Sequence, residues 1–233
     1  MDLRVSNEPP ALNEPPALSD ADLDEASRLL DGAPAADIVA WAVEHFGRRL
    51  CLTASMTDAV LIDVATKVEP AIEIIFLDTQ YHFPETLETV ETVRRRYNPN
   101  LVVTQPDRPL DDLWRTDTDA CCAARKVQPL EKALAGKIAW LSGLRRADGP
   151  SREETAVVER DRRGLIKVNP LVNWSDDDVA AYIRANDVPV NPLVDQGYPS
   201  IGCWPCTRAV APGEDARAGR WAGSEKTECG LHL

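Results

Sequence analysis

Four short apolar runs constrain this chain more than any other feature. LCLTAS at 50–55, IEIIFLD at 72–78, LVVTQP at 101–106 and IAWLSGL at 138–144 lack regular polar alternation, as strands buried on both faces of a parallel sheet do. Between them lie amphipathic stretches of helical length, TDAVLIDVATKV at 57–68 and PETLETVETVRRRYN at 84–98, then a cysteine-bearing helical stretch reaching about residue 135. Parallel neighbours need such crossovers. The pattern therefore predicts a doubly wound α/β fold with a mostly parallel sheet. In such folds ligands sit beyond the carboxyl ends of the strands, so the loops TASMTD, LDTQYHF and SGLRR should ring the site.

The flanks add helices and a tail. Ser19 or Asp20 can cap a helix that places Leu23, Ala26, Leu29 and Leu30 on one face. AADIVAWAVEHFG should stop at Gly47, and NWSDDDVAAYIRAND opens with Ser175 and Asp178 in a capping-box arrangement. The direct repeat NEPPAL at 7–12 and 13–18 is rich in proline and poor in core formers, which reads as a disordered leader over 1–18. Beyond about 190 the chain is loop-rich, with Pro192, Pro199, Pro205 and Pro212. The expected organisation is an α/β domain over 19–206 and a flexible, chemistry-bearing C-terminal tail over 207–233.

Charge and composition exclude several classes. A formal charge of -12 disfavours nucleic-acid binding, since phosphate backbones are held by an excess of lysine and arginine. No apolar run is long enough for a membrane span, and the first residues lack the pattern of a secretory signal, so a cytoplasmic location is expected. An anionic substrate must then meet a local basic cluster. The stretch 143–167, with Arg145, Arg146, Arg152, Arg160, Arg162, Arg163 and Lys167, is one candidate, although such runs are more often solvated faces.

Six cysteines in a reducing compartment read as metal ligands or catalytic thiols rather than as a disulfide framework. Cys121 and Cys122 are adjacent, and Cys203 and Cys206 form a C-x-x-C. Four thiolates in two local groups suit a tetrahedral zinc ion or an iron-sulfur cluster. Consecutive side chains diverge, by about 100° around a helix, so adjacent cysteines converge poorly on one ion. A cubane cluster offers each thiolate its own iron, and iron-sulfur is therefore favoured over zinc. Cys51 sits in an apolar strand and reads as core. Cys229, near the carboxyl end, is left as the unpaired thiol and reads as a nucleophile.

The motifs CCAARKVQPL at 121–130, GYPSIGCWPCT at 197–207 and KTECGLH at 226–232, supported by FLDTQYHFPET, SGLRR and RAGRW, resemble the assimilatory sulfonucleotide reductases. Within them the likeness is to the iron-sulfur branch acting on adenosine 5'-phosphosulfate (APS). The resemblance runs from about residue 37 to the end. It implies an adenine-nucleotide alpha-hydrolase-like (Rossmann-like) fold and one [4Fe-4S] cluster per chain on Cys121, Cys122, Cys203 and Cys206, with Lys126 between cluster and substrate. Carried over residue by residue, it implies nucleotide contacts at Ser55, Leu77, Asp78, Thr79, Gly143, Arg145, Arg146, Arg152, Arg217, Arg220 and His232. One position departs: Gln80 stands where the family usually has glycine after Asp-Thr, so a side chain occupies a place of close backbone approach.

The resemblance further implies thioredoxin-dependent reduction of APS to sulfite and AMP in sulfate assimilation and cysteine biosynthesis. Cys229 would attack the sulfur and carry an S-sulfocysteine, with Lys226 and His232 near it in sequence. Three rivals remain: the same chemistry on the 3'-phosphorylated substrate PAPS, an ATP-dependent adenylating enzyme, and a non-catalytic iron-sulfur or zinc redox sensor. The second expects a loop reading S-G-G-x-D-S, whose glycines TASMTD lacks. Oligomeric state stays open.

Overall fold

The computed structural model describes residues 18–221, Lys226 and Gly230. The leader apart from Leu18, and with it Cys229 and His232, lies outside the described residues. A six-stranded sheet organises the rest: β1 (Leu50–Ala54), β2 (Glu73–Leu77), β3 (Asn100–Thr104), β4 (Ala139–Leu141), β5 (Val158–Arg160) and β6 (Ile166–Val168), in the order β3-β2-β1-β4-β6-β5. Every pairing is parallel except β5 with β6. The chain leaves β1 toward β2 and β3 on one side and returns to β4 on the other, which makes the β1–β4 boundary the switch point of a doubly wound fold.

The expectation of strands buried on two faces holds for the central three. Leu50, Leu52, Ile74, Phe76, Ala139 and Leu141 enter the main core, while the intervening Cys51, Ile75 and Trp140 enter a second, smaller one. Period-two geometry sends neighbours to opposite faces, and both faces are apolar because both are covered. The main core is shared with α1 (Asp20–Leu30), α2 (Ala35–Phe46), α3 (Val60–Val68), α4 (Pro84–Tyr97) and, through partly buried residues, with a late helix over Asp176–Asn186. Leu130 and Leu134 cover the other face. Strand β3 differs from the expectation: it lies at the sheet edge, so Val102 and Val103 stay 40% and 38% exposed despite an apolar sequence.

The helix boundaries follow their capping residues. Ser19 accepts from the Asp22 backbone N–H at 3.2 Å while Asp22 accepts from the Ser19 N–H at 2.7 Å, and Ser175 and Asp178 repeat the box at 3.1 and 2.8 Å. Gly47 closes α2 with φ 48°. The cysteine-bearing stretch, expected as one helical run, is instead α5 (Leu113–Thr116), α6 (Thr118–Cys122), a π-helical turn over Ala123–Val127 and α7 (Gln128–Ala133), which makes the helix over Asp176–Asn186 α8. Pro129 explains the widening: it has no N–H to give the carbonyl four residues back, and its ring crowds that carbonyl. The Gln128 N–H bonds instead to the carbonyl of Ala123, five residues back.

The β5–β6 hairpin is a feature that the charged run 143–167 conceals. Asp161 turns it, its Oδ1 accepting from the backbone N–H groups of Arg163 at 2.8 Å and Leu165 at 3.0 Å, with Gly164 at φ 80°. Arg162 stands exposed at its tip.

Candidate functional site

The loops after β1, β2 and β4 gather at the carboxyl ends of the strands, as doubly wound topology requires. After β1, Ser55 is exposed, with its hydroxyl 3.5 Å from that of Thr57. The tight turn that glycine would ordinarily serve is made by Met56, which is buried with φ 62°. Asp58, just before the N-cap residue Ala59 of α3, accepts from the Val60 N–H at 2.9 Å, and burial pushes its carboxyl above the usual range.

After β2, Asp78 accepts from Gln105 Nε2 at 2.7 Å and from the Gln80 backbone N–H at 2.8 Å. Gln80 itself adopts φ 66°, the conformation its usual glycine would favour. Its side chain turns to Arg125, accepting from Nη1 at 2.8 Å. Thr79 is buried, its hydroxyl 3.2 Å from Cys203 Sγ, which joins the β2 loop to the C-x-x-C segment.

After β4, Gly143 is exposed and the arginines that follow are engaged. Arg145 pairs with Asp148 at 2.9 Å and Asp176 at 2.8 Å, and Arg152 with Asp148 at 2.8 Å. Arg146 donates to Asn173 and to the Thr155 carbonyl and pairs with Asp31, so it ties the loop to the end of α1.

All four paired cysteines line one cavity, together with Tyr81, Trp114, Arg125, Lys126 and Trp221. Burial and the neighbouring Cys122, Cys203 and Cys206 push the Cys121 thiol up to about 11, with Arg125 pulling the other way. Burial and Cys203 likewise raise Cys206, against the pull of Lys126 and Arg220. Thiols that raise one another's pKa share one electrostatic neighbourhood. Among the described residues no group of three or more His, Cys, Asp or Glu side chains could hold a single metal ion. All four thiols line the same cavity, and four thiolates are the donor set of a cluster with one thiolate per iron. Cys51 stands apart, fully buried in the second core, its thiol pushed up to about 12 by burial.

The cations are held in place by the same segments. The π-turn brings both Arg125 and Lys126 into buried positions beside the cysteines. Arg125, 1% exposed, donates to the Pro109 carbonyl at 2.6 Å, pairs with Asp111 and lies 4.7 Å over the Tyr81 ring. Burial and nearby Lys126 hold His82 below the usual imidazole range, so it adds no charge at neutral pH. Arg220 donates to Ser200 Oγ at 3.3 Å and covers the Trp221 ring at 4.5 Å. Arg217 and Arg220 sit on the turn that returns Trp221 to the Cys206 carbonyl, its N–H donating at 2.8 Å. Tyr81, Trp114, Arg125 and Trp221 join the site without having been singled out by sequence. Tyr81, Arg125 and Trp221 fall within the quoted motifs FLDTQYHFPET, CCAARKVQPL and RAGRW, whereas Trp114 falls in none of them.

The chain is similar to known proteins. Residues 49–209 match the phosphoadenosine phosphosulfate reductase domain family. The chain is 47% identical over 218 residues to an adenosine 5'-phosphosulfate reductase of Streptomyces coelicolor, covering 90% of this chain and 92% of that one. It is 45% identical over 217 residues to the enzyme of the same name from Mycolicibacterium smegmatis, with coverages of 89% and 92%. Among solved structures, phosphoadenylyl-sulfate (PAPS) reductase from Candida auris in a phosphate complex superposes with a TM-score of 0.74 at 33% identity, over 82% of this chain and 98% of that one. Candida glabrata FMN adenylyltransferase, at 12% identity and a TM-score of 0.57, over 83% of this chain and 69% of that one, shares the fold alone.

Proposed function

The chain belongs to the phosphoadenosine phosphosulfate reductase family, and on that premise we propose that it reduces APS to sulfite and AMP in sulfate assimilation. The observation that carries the substrate is identity of 42–47% over nearly the full length of relatives named for APS, against 33% for the PAPS reductase of Candida auris. PAPS remains the second reading because that structure shares the whole fold.

A [4Fe-4S] cluster is the group that Cys121, Cys122, Cys203 and Cys206 would hold; when bound it supplies a fixed charge distribution beside the substrate. Support for it is the single cavity that all four thiols line. Lys126, within electrostatic reach of Cys206, holds positive charge on the substrate side of that cavity. Lys126, Arg217 and Arg220 serve the nonbridging oxygens, offsetting the repulsion between a dianionic phosphosulfate and an incoming thiolate. Ser55, Leu77, Asp78, Thr79, Gly143, Arg152 and His232 complete the nucleotide site, with Arg145 and Arg146 holding the loop that presents Arg152.

Cys229 is the nucleophile. Its thiolate attacks the sulfur of APS, a sulfur–sulfur bond forms, and the sulfur–oxygen bond breaks with its electron pair leaving on AMP. A dithiol reductant, thioredoxin by chemical class, then attacks Cys229 Sγ. Sulfite departs with the bonding pair, and the reductant's second thiol resolves the mixed disulfide to restore Cys229. The two electrons come from the dithiol. The test is sulfite release with APS and thioredoxin: Cys229→Ser should bind APS with unchanged affinity and release no sulfite, and turnover by that variant would remove Cys229 from its role.

A further inference from the structure

Arg125 lines the cavity of the four thiols and is held from two segments, the loop after β2 and the stretch before α5. Its Nη1 donates to Gln80 Oε1 at 2.8 Å, and its Nη2 donates to the Pro109 carbonyl at 2.6 Å and pairs with Asp111 at 3.2 Å. The third nitrogen differs: Nε is buried and has no hydrogen-bond partner among the described residues. A buried donor left unpaired is costly, so its place in the wall of the thiol cavity calls for an acceptor there. Gln80 carries a second irregularity, its φ of 66°. Asn98 and Asp187 take comparable values as helix C-caps, but Gln80 stands in a loop. A side chain is kept in that region where its surroundings over-determine it, and here the amide oxygen bound to Arg125 does so.

We propose that Gln80 is a positioning residue for the cluster, holding the Arg125 guanidinium so that Nε–H donates to the sulfur of the group bound on the four cysteines. The inference rests on the reading of those cysteines as cluster ligands. Anchoring Nη2 alone leaves the planar guanidinium free to tilt about that contact. Anchoring Nη1 as well fixes the plane, and with it the direction of Nε–H. A cationic donor to sulfur offsets the negative charge that four thiolates bring together. The thiols already show this sense of action: burial and the neighbouring cysteines raise the Cys121 pKa, and Arg125 opposes them. Glycine at position 80 would keep the backbone turn and release Nη1.

Loss of the cluster to EDTA, followed by visible absorbance, tests this in full-length, anaerobically purified holoenzyme. Gln80→Gly, matched to wild type in far-ultraviolet circular dichroism and starting iron, should lose its cluster about five-fold faster, part of what a hydrogen bond to a charged group contributes. The loss is partial because the Pro109 and Asp111 contacts remain. Its iron–sulfur stretching bands in resonance Raman should move to higher frequency, since a donor on sulfur withdraws electron density from the bond to iron. Gln80→Met, similar in length but without the amide oxygen, should behave as Gln80→Gly does. Gln105→Ala, which loosens the same loop at Asp78, should keep the wild-type rate and bands. A wild-type rate of loss in Gln80→Gly, or bands superimposable on wild type, would overturn the proposal. Full protection in Gln80→Met would overturn it too, since packing rather than the oxygen would then be responsible. Wild type purified without iron would sink the cluster reading itself, and the iron assay separates that failure from the others.

Discussion

A methyl group added at Gly202 would stand 2.5 Å from Arg220 Nη2 and 2.7 Å from Cζ, so the residue before Cys203 must be glycine for the guanidinium to lie against the backbone. Arg220 is thereby fixed between Ser200 and the Trp221 ring. Gly202→Ala should displace it and raise the APS dissociation constant about ten-fold, the lower end of what one charge-assisted contact contributes. Isothermal titration against wild type and Arg220→Ala checks this, and the double variant should be no worse than Arg220→Ala alone. At the same scale, the two local groups, Cys121 with Cys122 and Cys203 with Cys206, are legible in sequence, because a C-x-x-C and an adjacent pair are local patterns. It does not anticipate Gln80. The side chain expected at a point of close backbone approach turns away to Arg125, while the main chain keeps the left-handed conformation its usual glycine would favour. That outcome depends on a partner 45 residues away in the chain.

Among elements, α3, α4 and α8 meet at one carboxylate. Asp63 Oδ1 accepts from Tyr97 at 3.0 Å, and Oδ2 accepts from Tyr182 at 2.7 Å and pairs with Lys67 at 2.6 Å. Burial opposes its ionisation, but the hydrogen bonds from Lys67, Tyr182 and Tyr97 outweigh it and hold the carboxyl below its ordinary 3.8. A depressed pKa means that the folded state binds fewer protons than the unfolded one. Its stabilisation is therefore present above pH 3.8 and fades as pH falls through the folded value. Asp63→Asn should lose about 2 kcal/mol at pH 7, by disruption of a buried network. The deficit should shrink at pH 3, as read from urea denaturation at both values. Period and capping make these helices readable from sequence; the hub that joins them is not, since Asp63, Tyr97 and Tyr182 lie on separate elements. The π-turn is missed for a related reason. Pro129 signals a disturbance, but whether a helix breaks there or widens depends on what packs around it.

For the whole molecule, the doubly wound order follows from the apolar runs, whose alternation distributes residues between two covered faces. The β5–β6 hairpin escapes because strands of three residues inside an arginine-rich stretch carry almost no periodic signal. The overall charge of -12 and a cationic site coexist because folding brings two segments together: Arg125 and Lys126 of the π-turn line the cavity of the four cysteines, and Arg220 acts electrostatically on Cys206 there. Holding a cluster there needs thiolates that the crowded thiols resist forming alone. Anaerobically purified protein should accordingly carry about four irons and four sulfides per chain. Cys203→Ser or Cys121→Ser should lose most of both, and a full complement in either variant would contradict the ligand set.

The central claim is that Cys229 takes the sulfur of APS onto itself, and intact-mass measurement tests it most directly. Anaerobic holoenzyme is incubated with APS, or separately with PAPS, in the absence of reductant, and the modified peptide is mapped. The account predicts a gain of one SO3 group on Cys229 with APS, discharged as sulfite by thioredoxin. An unmodified mass despite demonstrated nucleotide binding and an intact cluster, or an adduct mapped to another cysteine, would contradict it.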